Sequence, residues 1–178
     1  MNEDLFEQIT NTIAVLLEND AVLTSYCTTN LGSALTPSDN SIGVEEHLPN
    51  YPYFVVTKGE EEHYFNKGTQ AGLKNMFPLQ VVFYGKFKAS QAQDKNFVLP
   101  TGSKTTVNNI ITYTPSDIMR KIARLSGKVV NSKIACTIPQ LRVEKLTIFS
   151  EGYYDRENGV VGSILGLTLY QENNGYSN

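Results

Sequence analysis

The residues of this sequence best suited to bind a metal ion or to act as acids and bases are two histidines that each follow a run of acids. His47 closes the segment Glu45-Glu46-His47, and His63 closes Glu60-Glu61-Glu62-His63. Carboxylates beside an imidazole are ligands that a divalent cation accepts, but adjacent side chains on a strand or turn point in different directions. Neither histidine stands at zinc-site spacing from a cysteine or from the other histidine. We therefore expect surface histidines and no bound metal.

Motifs for catalysis and for nucleotide binding are missing from the sequence. It contains no glycine-rich phosphate loop, and Gly162-Ser163-Ile164-Leu165-Gly166 has the wrong spacing for a nucleophilic serine. The sequence therefore predicts neither an enzyme nor a cofactor. A small enzyme or ligand-binding domain stays open as an alternative, because side chains distant in sequence can converge in a fold.

The two cysteines, Cys27 and Cys136, lie far apart in sequence. Nothing in the first residues resembles a secretory signal and no apolar run is long enough to span a membrane, so we expect a protein made in a cytoplasm. A disulfide is not expected in that reducing compartment. Cys136 lies in the apolar segment 134–138, which predicts a small buried side chain.

Charge is distributed unevenly along the 178 residues. The segment 1–62 holds 11 acids and one base, the segment 63–145 holds 13 bases and 3 acids, and the remainder holds one base and 4 acids. The net charges are −10, +10 and −3. Two interpretations remain open: a solvated surface, or a subunit whose acidic face meets the basic face of its neighbour, as in a closed ring.

Nucleic-acid binding is a further possibility to weigh, since aromatic residues lie in or near the basic segment. A groove lined by bases and aromatic rings binds single strands through stacking and charge. The whole chain is acidic, however, with a pI near 5.4. Strand packing also explains the aromatic residues in question, so we expect no sequence-specific binding of nucleic acid; they are Phe83, Tyr84, Phe87, Phe97 and Tyr113.

The first half of the chain predicts one helix, a loop and two strands. The apolar residues of 5–17 recur at three- and four-residue spacing, and Asn2 is placed to cap that helix. Residues 27–50 have the composition of a loop. The segments 51–57 and 77–87 predict strands, and in the second strand Leu79, Val81 and Phe83 share one face although Val82 breaks the alternation.

A polar segment, 88–114, separates these strands from the second half. It is too long for an ordinary loop in a single domain, so we expect a projecting β-hairpin with its tip near 100–103. Our hypothesis is that this segment lies at an interface. Its lysines, and Lys86 just before it, are expected to meet acidic surface; they are Lys88, Lys95 and Lys104.

The second half predicts a helix and a hairpin. Thr114-Pro115-Ser116-Asp117 is a helix start, followed by a buried stripe of Ile118, Ile122, Leu125 and Val129, and a basic outer face of Arg120, Lys121, Arg124 and Lys128. The strands 142–151 and 160–172 flank an Asn-Gly turn. The fold class is α+β: a mixed, mainly antiparallel β-sheet with two principal helices packed on one face, plus a long projecting loop or hairpin.

This layout resembles the tail terminator (tail completion) proteins of bacteriophages. The resemblance rests on the N-terminal helix, the "proline, aromatic, valine" strand of 48–56, the strand 81–84, the helix after 114–117 and the closing strand 166–171. It covers nearly the whole chain, 1–178, as one domain with an insertion at 88–114. It implies a hexameric ring that caps the tail tube, ends tube polymerisation and offers a docking surface to the neck.

The resemblance also implies partners and a location. The ring would contact the tail tube protein and a neck or head-completion protein, and genomic DNA would pass through its lumen without sequence-specific binding. It would be assembled in the host cytoplasm and reside in the virion at the junction of tail and neck. Another phage morphogenesis protein, such as a neck, head-closure or tube subunit, is the alternative. The interface residues expected are Lys86, Lys88, Lys95, Phe97, Lys104, Arg120 and Arg124.

Overall fold

A computed structural model gives the fold of the chain, which is α+β as predicted. The structure describes residues 4–38, 50–64, 73–87, 105–107, 110–112, 115–149, 153–155 and 159–173. These residues contain three helices and a mixed, mostly antiparallel sheet. The helices are α1 (Leu5–Glu18), α2 (Ala21–Leu31) and α3 (Pro115–Thr137).

The strands of the described residues are β1 (Thr36–Pro37), β2 (Tyr53–Lys58), β3 (Glu62–Tyr64), β4 (Leu73–Lys86), β5 (Thr105–Val107), β6 (Ile110–Thr112), β7 (Leu141–Phe149), β8 (Tyr153–Asp155) and β9 (Val160–Asn173). The main sheet runs in the order β1-β2-β4-β9-β7, with β3 paired to the start of β4 and β8 paired to the start of β9. Of these strands only β1 and β2 pair in parallel, and a second, two-stranded sheet joins β5 to β6.

The predicted N-terminal helix is confirmed, and a second helix follows it that the sequence did not predict. Asp4 caps α1 through its side chain, whereas the predicted cap, Asn2, lies outside the described residues. The last residues of α2, 27–31, lie in the segment 27–50 that the sequence assigned to a loop, and for these residues the prediction is wrong. Its cap is Asp20, and it ends at Gly32, whose φ of 86° suits the left-handed backbone that glycine adopts without strain.

Helix α3 begins at Pro115, as predicted, but its buried side differs from the predicted stripe. Ile122 and Val129 are buried, while Ile118 and Leu125 are only partly buried. The helix instead turns a row with many small residues toward the sheet, which allows a close approach of helix and strands. The other buried residues of α3 are Pro115, Ser116, Met119, Ala123, Ser126, Gly127, Val130 and Ile134.

The core lies between the helices and one face of the sheet. In β4 the alternate residues Phe77, Leu79, Val81 and Phe83 are buried, and β9 repeats the pattern, so the predicted alternation is confirmed. Phe6 of α1 packs edge-on against Phe77 with ring centroids 5.3 Å apart. The buried alternate residues of β9 are Val161, Ser163, Leu165, Leu167 and Leu169.

The closing hairpin is also confirmed, since β7 and β9 pair antiparallel, with a bulge between Val143 and Lys145. Gly159 of the turn has a φ of 71°. The strands β5 and β6 form a short hairpin near the end of the polar segment. The predicted tip at 100–103 lies outside the described residues.

The prediction that Cys136 is buried is wrong. Helix α3 continues through Thr137, and Cys136 is exposed on its last turn. Cys27 is buried in α2, and both thiols are free. Burial raises the pKa of Cys27 to about 12, because the thiolate loses its hydration.

Candidate interaction surfaces

The face of the main sheet that points away from the core residues of β4 and β9 is named the open face here. Strand register places the alternate residues of four strands on it. They are Tyr53, Val55 and Thr57 of β2; Gln80, Val82 and Tyr84 of β4; Gly162, Ile164, Gly166 and Thr168 of β9; and Lys145, Thr147 and Phe149 of β7.

An apolar row crosses the open face from one strand to the next. Val55 pairs with Val82, Val82 with Ile164, and Ile164 with Phe149. Phe149 is 48% exposed, and the three aliphatic side chains are partly exposed. A contiguous apolar row on an accessible face marks a surface for contact with another molecule more often than isolated apolar residues do.

A cluster of tyrosines adjoins this row. The rings of Tyr53 and Tyr84 stack at 4.8 Å, and the ring of Tyr51 lies 5.2 Å from that of Tyr53. Burial, followed by the charges of the two neighbouring phenols, raises the pKa of Tyr53 to about 12. Lys86 Nζ lies 6.0 Å from the centre of the Tyr51 ring, at the limit of a cation–π contact.

On the other side of the row the open face is polar and forms an open groove of about 420 Å³. Gly166 leaves space at its floor, and neutral side chains such as Thr57, Gln80 and Thr168 line it. Lys145 stands at one side. Such a lining can donate and accept hydrogen bonds, and Lys58 lines the groove as well, but no acid is found among the lining residues.

A separate basic surface lies on α3. Lys121, Arg124 and Lys128 are exposed at three- and four-residue spacing, which puts them on one stripe, as predicted. Lys121 Nζ lies 5.2 Å from the ring centre of Tyr26 of α2. Arg120 is partly buried beside this stripe.

Some of the opposite charge in the sequence is neutralised within the subunit. Lys133 Nζ lies 2.8 Å from Asp20 Oδ2, and Lys58 forms an ion pair with Glu7. The Lys133 ammonium is the largest cause that holds the pKa of Asp20 below its ordinary value of 3.8, against the opposing effect of burial. Lys133 belongs to the basic segment and Asp20 to the acidic one, so this pair joins the two segments inside one chain, whereas Lys58 and Glu7 both lie in 1–62. Charge unevenness alone therefore does not require a neighbour.

The structure does not unite the predicted interface residues on one surface. Lys86 lies by the open face, whereas Arg120 and Arg124 lie on α3, across the sheet from it. Phe83 and Phe87 are buried in the core, which agrees with the strand-packing explanation. The other predicted interface residues, Lys88, Lys95, Phe97 and Lys104, lie outside the described residues, as do His47 and Tyr113.

Sequence reasoning missed the open face itself. The sequence feature that indicates this face is a pair of adjacent apolar residues in a strand, since adjacent residues point to opposite faces of the sheet. Val81-Val82 and Ile164-Leu165 are such pairs. Within the described ranges, no group of three His, Cys, Asp or Glu side chains is placed to hold a metal ion. No helix in this part of the chain is long and apolar enough to cross a membrane. No family model and no curated protein matches the chain.

Proposed function

We propose that this protein is a ring-forming tail terminator of a bacteriophage and acts by assembly rather than by catalysis. The observation that carries the proposal is the apolar row Val55–Val82–Ile164–Phe149 on the open face. A sheet with helices against one face and accessible apolar side chains on the other suits a subunit that buries this face against another molecule.

Two further observations support an assembly subunit. The strands β2 and β4, the helix α3 and the closing hairpin follow one another in the order that the resemblance implies, with α2 added where it implies a loop. The α3 stripe of Lys121, Arg124 and Lys128 gives the subunit a basic surface distinct from the open face, which suits contacts with different partners on different sides. In the proposed ring, these partners are a neighbouring copy, the tail tube protein, and a neck or head-completion protein, with DNA in the lumen.

The proposal is tested with tail tubes assembled from the tube protein of the same virus. Purified protein is added during tube growth, and lengths and ends are measured by electron microscopy. We expect shorter tubes that carry a ring of about six subunits at one end. A substitution on the apolar row, Phe149→Ser, should weaken capping, whereas Val22→Ser, at a 64% exposed apolar residue of α2, serves as the matched control.

The same experiment separates the alternatives. A tube subunit would co-polymerise and lengthen the tubes, and a neck or head-closure protein would bind finished tails or heads without changing tube length. Tubes of unchanged length with bare ends would overturn the terminator proposal.

A further inference from the structure

Among the described residues, the two edges of the main sheet carry matching sets of outward-pointing main-chain groups. Ser38 N–H donates to the Phe54 carbonyl at 2.8 Å, so Phe54 points its main-chain groups toward the outer edge of β2. Main-chain groups alternate in direction along a strand. Val56 and Lys58 therefore also point outward, past the end of the two-residue strand β1.

The same alternation fixes which groups of β7 point outward. It passes from β2 through β4 and β9 to β7, because the main-chain groups of two residues that face each other across an antiparallel ladder either both point into that ladder or both point away from it. Thr147 directs its groups toward Gly166 of β9, so Leu146 and Ile148 direct theirs away from the sheet. Among the described residues, no hydrogen bond reaches the outer side of 145–149.

These outward residues stand at the same level on both edges. One row across the sheet runs from Lys58 through Leu79 and Leu167 to Leu146. The neighbouring row runs from Val56 through Val81 and Leu165 to Ile148. Since β2 and β7 run in opposite directions, a second copy that continues the sheet would bring its β2 antiparallel to β7.

We propose that copies of this chain join head to tail through these edges, β7 of one copy pairing with β2 of the next. When the rows of one copy continue level into the next copy, Leu146 faces Lys58 of that copy, and Ile148 faces its Val56. Both pairs then exchange N–H···O bonds. This contact deepens the proposed function and rests on it, because it supplies the subunit contact of the ring.

Side chains on the β7 edge support a second copy as the occupant. Leu146 is 39% exposed and Phe149 is 48% exposed, and they lie on opposite faces of the same edge strand. An added strand covers both. Lys145 lies in the row of Pro78, whose carbonyl accepts from Gly59 N–H, so Lys145 would face Gly59 of the next copy, one residue from its exposed Glu60. Lys145 then attracts Glu60, and the exposed Glu144 beside Lys145 reduces that attraction.

Proline variants test the pairing, because proline lacks the outward N–H while the ladder to β9 or β4 stays intact. We would compare Leu146→Pro with Leu146→Ala, and Val56→Pro with Val56→Ala, by sedimentation over a range of concentrations. Each proline variant should raise the dissociation constant at least about tenfold relative to its alanine control, equivalent to one or two hydrogen bonds. Circular dichroism checks that each variant is folded.

Mixing the variants makes the test decisive. Leu146→Pro keeps a working β2 edge and Val56→Pro keeps a working β7 edge. At a concentration just sufficient for the wild type to assemble, each variant should therefore be monomeric alone, while the mixture forms dimers and no larger species. Dimers of Val56→Pro alone would overturn head-to-tail pairing, because they would require β7 to pair with itself. Assembly of Leu146→Pro at the wild-type level would overturn it as well.

Charge-reversal variants provide a second test that remains valid if a proline variant fails to fold. Lys145→Glu and Glu60→Lys should each weaken assembly about fivefold, and the double variant should restore it. A wild-type chain that stays monomeric at every concentration, yet caps tubes, would overturn this contact and leave the terminator proposal standing. Open filaments built through these edges would keep the contact and overturn the terminator proposal.

Discussion

Ser163 of β9 donates a hydrogen bond of 2.8 Å from its Oγ to the main-chain carbonyl of Met119 in α3. The two residues are 44 positions apart, and both are buried. We expect Ser163→Ala to lower the free energy of unfolding by about 1 kcal/mol, because the buried carbonyl loses a donor. Urea unfolding measures the change. Ser132→Ala, on the exposed side of the same helix, is the control, and an equal loss in both variants would contradict this explanation.

Replacement of serine by alanine should have the opposite effect on the free energy of unfolding at Ser126. Its Oγ is buried in α3 and has no hydrogen-bond partner among the described residues. Ser126→Ala removes an unsatisfied hydroxyl and places a better helix former, so we expect a gain in unfolding free energy of about 1 kcal/mol. Thermal and urea unfolding of Ser126→Ala and Ser163→Ala side by side check the signs. A destabilised Ser126→Ala would mean that the hydroxyl has a role in packing.

Asp20 combines two stabilising roles in one carboxylate. It accepts from Leu23 N–H at 2.9 Å as the cap of α2 and binds Lys133 at 2.8 Å. Its pKa is lowered in the folded state, so its ionised form adds stability above about pH 5, and this stability is lost as pH falls below the ordinary value of 3.8. Asp20→Asn keeps the cap and loses the ion pair, so it should be less stable than the wild type at pH 7 and approach it near pH 3.

A third variant separates the two roles of Asp20. Asp20→Ala loses the cap as well, and we expect it to be about 1 kcal/mol less stable than Asp20→Asn at neutral pH. Unfolding free energies are measured for the three proteins from pH 3 to pH 7. A gap between wild type and Asp20→Asn that does not change with pH would contradict the ionic role.

Substitution by alanine should change the free energy of unfolding differently at two glycines of the central strands. A methyl group at Gly85 would lie 2.5 Å from the sulfur of buried Met119, whereas at Gly166 the nearest atom would be Phe149 Cε2 at 3.6 Å. We expect Gly85→Ala to cost about 1–3 kcal/mol through overpacking. Gly166→Ala, on the open face, should be nearly neutral. Equal costs in urea unfolding would show that the strand backbone, and not Met119, resists the side chain at Gly85.

The thiols should differ in reactivity as they differ in exposure. Cys136 is exposed, whereas Cys27 is buried with its pKa raised to about 12. We expect a maleimide at neutral pH to modify one thiol in the folded protein and both in urea, and peptide mass spectrometry to place the first label on Cys136. Cys136→Ser should leave no fast-reacting thiol. Rapid labelling of Cys27 in the native protein would contradict the packing of α2.

The sequence predicts those elements whose apolar side chains recur at one regular spacing or whose ends carry a typical capping residue. Alternating Leu165, Leu167 and Leu169 predict the half-buried last strand, and Pro115 after a threonine predicts the start of α3, because each signal arises from local geometry. Helix α2 gave no such signal. Only Leu23 and Cys27 are buried in it, and its many threonine and serine residues suggest a loop equally well.

The accessible surfaces could not be predicted without the tertiary structure. Val81 and Val82 are adjacent and chemically alike, yet one is buried against the helices and the other lies on the open face. Only strand register decides which of the two faces the core. Cys136 shows the same limit, because an apolar segment at the end of a helix can still present one of its side chains to solvent.

The bulge between Val143 and Lys145 has a consequence for the solubility of unassembled subunits. A long, regular edge strand is a template on which chains stack without limit into aggregates. The bulge interrupts the nine residues of β7 and increases the local twist, so only a short stretch stays straight enough for pairing. On the opposite edge Pro37, without an N–H, limits the exposed strand in the same way. We therefore expect the isolated chain to resist open-ended stacking into amyloid-like deposits through these two edges.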